Sequence, residues 1–123
     1  MKVVFLSVPS KQAVEDGRLR KEFLKDVAFL HAAYPDVTFI CPVIQWYSII
    51  GFLDDQDASW EKWKPHCEAL IKAADEVWVM LGAGWNTPAY IMSEYNTSSG
   101  VAGELQLAVK NRRNCAFLNV SDS

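Results

Sequence analysis

The chain is expected to fold as a single three-layer α/β domain around a short, mostly parallel sheet. Four short apolar runs, at residues 2–8, 37–43, 76–81 and 115–120, alternate with helical segments. That order is the pattern of a doubly wound α/β domain. The first run (KVVFLSV) is continuously apolar rather than alternating, as strands buried on both faces are. The chain has 123 residues, half of them hydrophobic, which suffices for one core and one domain spanning residues 1–123. No repeat, linker or low-complexity tract divides it.

The first strand ends at Pro9, and Ser10 is placed to cap the next element. Between residues 11 and 33, Leu19, Phe23, Val27 and Leu30 recur at four, four and three residues, with Leu24 and Ala28 widening the stripe. This spacing predicts one amphipathic helix, stopped by Tyr34-Pro35-Asp36. Residues 37–43 (VTFICPV) read as the second strand, with Pro42 near its end. Residues 45–57 open on Trp46, Tyr47, Ile49, Ile50, Phe52 and Leu53, too apolar for an ordinary loop. A short helix, a pocket wall and a subunit interface all fit them. Residues 60–74 are the next helical segment. Trp60, Trp63 and Cys67 share a face, and Pro65 predicts a kink or a fresh start. The third strand, residues 76–81 (EVWVML), ends at Gly82-Ala83-Gly84-Trp85, and a long loop leads to Ser99. The last helix covers residues 100–110, with Val101, Leu105 and Ala108 inward, and the fourth strand comes after it.

The totals narrow the function classes. The net charge is -3, and Arg112-Arg113 is too short a basic run for a nucleic-acid face. No apolar run approaches membrane length. Cys41, Cys67 and Cys115 are few, odd in number and not at metal spacing, which argues for a reducing compartment. The opening segment meets Pro9 too soon for a signal peptide. A cytoplasmic protein with a small polar ligand, and neither nucleic acid nor membrane as partner, is the expectation.

In such domains ligands sit beyond the carboxyl ends of the strands. Residues 7–10, 82–85 and 98–104 fall at that edge. Ser98, Ser99, Gly100 and Gly103 suit a close backbone approach to an anion at a helix start. Glu104 lies within or just after the first turn, where the helix dipole is expected to keep it ionised. A carboxylate at that edge suits attack on an anomeric carbon, through an oxocarbenium-like transition state. The same stretch also reads as an ordinary capped helix. Trp46 and Trp85 lie where a base could stack. Trp60, Trp63 and Trp78 read as core.

An ordered set of features resembles the nucleoside 2-deoxyribosyltransferase-like superfamily, and most of all its short DUF1937-type branch. The features are Leu6-Ser7-Val8-Pro9, Trp60 and Trp63 before a helix, the run from Ala74 to Val79, Gly84-Trp85, and then Ser98, Gly100, Val101 and Glu104. The resemblance spans nearly the whole chain. It implies a flavodoxin-like homodimer that cleaves or exchanges the base of a (deoxy)nucleoside or its 5′-monophosphate. It implies Glu104 as nucleophile on the sugar C1′, contacts to the sugar or its 5′-phosphate from Ser98 and Gly100, and no metal or organic cofactor. Ser7, Pro9, Ser10, Trp46, Cys67, Gly84, Trp85 and Ser99 complete the candidate substrate site.

Three departures from the family pattern stand out. Ser10 occupies the position of a tyrosine that orients the nucleophile. Cys67 occupies that of an aspartate that assists proton transfer to the base. The stretch of twelve residues from Asn86 to Thr97 is longer than the family leads one to expect. It carries Tyr90, Glu94 and Tyr95, which could supply the missing phenol or acid, and it fits a specificity lid or a dimer arm equally well. The alternative function is a catalytically weak nucleotide-binding protein on the same scaffold. A homodimer is also expected because the apolar stretch from Trp46 to Leu53 needs cover.

Overall fold

A computed structural model describes residues 1–49, 59–94 and 100–120 of the chain. In chain order the elements are β1 (Lys2–Ser7), α1 (Ser10–Ala13), β2 (Val14–Glu15), β3 (Arg18–Leu19), α2 (Lys21–Ala33), β4 (Val37–Ile40) and α3 (Pro42–Ile49), then α4 (Trp60–Ala73), β5 (Glu76–Leu81), α5 (Pro88–Glu94), α6 (Gly100–Lys110) and β6 (Asn114–Asn119). The main sheet has the order β4-β1-β5-β6, and every pairing in it is parallel. The predicted three-layer α/β architecture is therefore the one found.

Alternation along the buried strands sends side chains to both faces of the sheet. Val4 and Leu6 of β1 meet Phe23, Val27 and Leu30 of α2 on one face. Phe5 of β1 and Val77 of β5 meet Cys67 and Ile71 of α4 and Leu107 and Ala108 of α6 on the other. Phe5 and Ile71 are fully buried, each contributing about 1.5–3 kcal/mol from the apolar surface withdrawn from water. Asp75 locks β1 to β5. Its carboxylate accepts the Val3 amide at 2.8 Å, and its own amide donates to the Val3 carbonyl at 2.7 Å.

The chain leaves β1 toward β4 on one side, and β5 returns to the other side of β1. The strand order thus reverses between β1 and β5, where such sheets open a crevice at the carboxyl edge.

Several local expectations are corrected. Residues 11–33 do not form one helix, because the β2–β3 hairpin interrupts it. Asp16 and Gly17 sit at φ 52 and 76, the left-handed geometry of a two-residue hairpin turn that Asp-Gly favours. Its register pairs Val14 with Leu19 and Glu15 with Arg18. Pro42 does not end a strand; it is the first residue of α3, where its missing N–H costs nothing. Of the kink or fresh start expected at Pro65, the fresh start is not found: Pro65 lies inside α4, a single helix from Trp60 to Ala73. Part of the stretch from Asn86 to Thr97 is helical (α5). Pro88 opens that helix, and the Thr87 hydroxyl accepts the Tyr90 amide at 3.3 Å. Among the described residues no helix is long and apolar enough to cross a membrane.

Candidate functional site

Four of the described stretches of chain converge on a cavity of about 270 Å³ at the carboxyl edge of β1. Val8 and Pro9 bring the end of β1 to it, and Ser10 and Lys11 open α1 beside it. Pro42, Val43 and Trp46 come from α3. Ser59 precedes α4, and Trp60, Trp63 and Cys67 line the cavity from a single face of it, at helical spacings of three and four. Gly100 and Glu104, one turn apart, come from α6.

Glu104 is the carboxylate of this cavity among the described residues. It is only 7% exposed. The Ser7 hydroxyl donates to its Oε1 at 2.7 Å, and the Cys67 thiol is hydrogen-bonded to the same carboxylate. Burial pushes the Glu104 carboxyl up to about 7, against the opposing pull of these two hydrogen bonds. This corrects the expectation that the helix dipole keeps it fully ionised. Gly100 begins the helix, so Glu104 lies past the first turn, where the dipole fades and desolvation prevails. Burial, with the Glu104 charge added, holds the Cys67 thiol well above the usual range. Burial also raises Cys41, up to about 12, with a further contribution from the Glu104 charge. Both thiols therefore stay protonated near neutral pH.

The structure brings together Glu104, Pro9, Ser10, Trp46, Cys67 and Gly100 at the cavity. Ser7 lies beneath it, fully buried, and holds Glu104 rather than lining the space. Gly84 and Trp85 are not in the site. Trp85 is 2% exposed, its indole N–H donates to Asp26 Oδ2 at 2.8 Å, and its ring meets Phe23 edge-on at 5.0 Å. A ring spent on α2 has no face left for a base. Gly84, at φ 85, serves the turn that carries Trp85, and a Cβ at Gly82 would overlap the indole. Tyr90 packs against Val79, Leu81, Ile91 and Val101 and does not line the cavity. Tyr95, Ser98, Ser99 and the Glu94 side chain lie outside the described residues.

Sequence reasoning assigns Trp60 and Trp63 to the core, yet both line the cavity. Trp63 meets Trp46 edge-on, with ring centroids 3.9 Å apart. The face they share with Cys67 is the signal that could have found them. Lys11 escapes sequence reasoning as well, because a single helix across residues 11–33 hides the turn that places it.

A small cleft lined by three tryptophans, two serines and a desolvated carboxylate has the makings of a small-molecule site. The carboxylate is poised to be charged or neutral near pH 7, so it can act as a nucleophile or carry a proton. Neither family models, nor curated proteins, nor solved structures gave any match to this chain.

Proposed function

We propose that the protein cleaves or exchanges the N-glycosidic bond of a (deoxy)nucleoside or nucleoside 5′-monophosphate, with Glu104 as nucleophile on the sugar C1′. The observation that carries this reading is the buried Glu104 carboxylate at the cavity, held by Ser7. An ionised carboxylate deprived of water gains most by meeting an oxocarbenium-like centre, whose positive charge replaces the lost solvation. Trp46, Trp60 and Trp63 offer apolar and aromatic surface for a base. The resemblance to the nucleoside 2-deoxyribosyltransferase-like superfamily points the same way. The reading extends to a cytoplasmic homodimer. Free thiols at Cys41, Cys67 and Cys115 suit a reducing compartment.

A second reading, binding without turnover, is favoured by one observation. Glu104 is the sole acid among the described lining residues, and the protonated Cys67 thiol beside it is a poor proton donor.

The deciding experiment is release of free base from a panel of nucleosides and 5′-monophosphates, with and without an added second base. Release that disappears in Glu104→Ala establishes the enzyme. Tight binding with no release by the folded protein establishes the second reading.

A further inference from the structure

We infer that Lys11 forms an anion subsite of the cavity, and that the ligand is a nucleoside 5′-monophosphate rather than a nucleoside. The inference deepens the N-glycosidic reading and rests on it.

Lys11 is the cation that lines the cavity among the described residues. Its side chain is exposed, and no carboxylate among the described residues neutralises it. The ion pairs among those residues join Lys2 to Glu76, Arg20 to Glu15 and Lys110 to Glu68. Glu104, which lines the same cavity, forms no ion pair with it; that carboxylate accepts from Ser7 instead. Lys11 brings an ammonium group, a point charge suited to an anion, to a cleft whose other polar lining groups include the Ser10 and Ser59 hydroxyls, the Cys67 thiol and the Glu104 carboxyl. Ser10, next to it in the chain, and Ser59, which precedes α4, line the same cavity and supply hydroxyl donors. A phosphate takes one ammonium and several hydroxyl donors, whereas the 5′-hydroxyl of a nucleoside has no use for the charge.

The backbone reason for the placement lies in the β2–β3 hairpin. It limits α1 to Ser10–Ala13, so Ser10 and Lys11 stay at the end of β1 instead of being drawn into a long helix. The Ala13 carbonyl accepts the Arg20 amide at 2.7 Å, which closes this excursion at its base.

The test is binding, followed by tryptophan fluorescence, of matched nucleoside and 5′-monophosphate pairs and of inorganic phosphate. The wild-type protein, Lys11→Met and Lys11→Arg are compared, with base release recorded in parallel. The wild type is expected to prefer the monophosphate, and Lys11→Met to weaken its binding by about 10- to 100-fold, the usual worth of a hydrogen bond to a charged group. Lys11→Arg should keep most of the preference, and phosphate should compete with the monophosphate. Equal binding of nucleoside and monophosphate by the wild type overturns the inference. A monophosphate preference untouched in Lys11→Met overturns it too. Base release that persists in either case leaves the N-glycosidic reading standing. Absence of both binding and release removes the two together.

Discussion

The Ser7 hydroxyl donates a 2.7 Å hydrogen bond to Glu104 across 97 residues of chain, and both partners are buried. This bond ties the last residue of β1 to the second turn of α6, at the point where the strand order reverses. A hydroxyl donor favours the charged carboxylate, so Ser7 opposes the effect of burial. Removing it in Ser7→Ala is expected to move the Glu104 pKa above 7. The pH profile of kcat/KM should shift toward alkaline pH by the same amount. An unmoved profile would show that Ser7 does not position the reacting group.

Stability should carry the mark of Glu104 in the opposite direction to that of most carboxylates. Its pKa rises from 4.5 to about 7 on folding, so the folded state holds the proton over that range while the unfolded state has lost it. Stability is then greatest below about pH 4.5 and falls as pH rises toward 7, by roughly 3 kcal/mol in all. Glu104→Gln removes this slope. Denaturant melts of both proteins at pH 5 and pH 8 should show the variant gaining on the wild type at the higher pH. Glu68 and Glu76, whose carboxyls are held low chiefly by side-chain hydrogen bonds, to Asn111 in one case and Lys2 in the other, act the other way but are common to both proteins.

Cys67→Asp puts a second carboxyl group against Glu104. Two carboxylates in contact cannot both ionise, so one keeps a proton at neutral pH and becomes a donor for a departing base. Base release should rise in this variant near pH 6, and thermal stability should fall at pH 8, where both groups are pressed to ionise. Unchanged release with a folded protein would mean that proton donation does not limit the reaction.

Trp85→Phe tests the assignment of Trp85 to the core. The indole N–H to Asp26 is lost while most of the ring packing on Phe23 remains. A cost of about 1–3 kcal/mol in denaturant stability is expected, with ligand affinity little altered. A large loss of affinity at full stability would return Trp85 to the site.

The strands and the faces of α4 and α6 are legible in the sequence because they depend on local periodicity. Continuous apolar runs mark buried strands, and the spacing of Trp60, Trp63 and Cys67 marks one side of a helix. The Asp16-Gly17 hairpin is equally local in origin. The apolar spacing from Leu19 to Leu30 competes with it and extends the helical pattern too far toward the N-terminus, although Asp-Gly is a strong turn signal. Thr87-Pro88, a cap and a first helical residue, likewise announces α5.

Composition and periodicity suffice for the α/β class, four strands in a mostly parallel sheet and the placement of Glu104 near the carboxyl edge. Whether Glu104 faces water or the interior is a different kind of property. It depends on α6 lying over β1 beside α4, with Ser7 and Cys67 arriving from distant parts of the chain. The same packing withdraws Trp85 into contact with α2 and turns Trp60 and Trp63 toward the cavity. A residue type and its spacing specify a helix face. Only the neighbours packed against that face set its solvation, and solvation decides whether a carboxylate is an ordinary surface charge or a group that titrates near neutral pH.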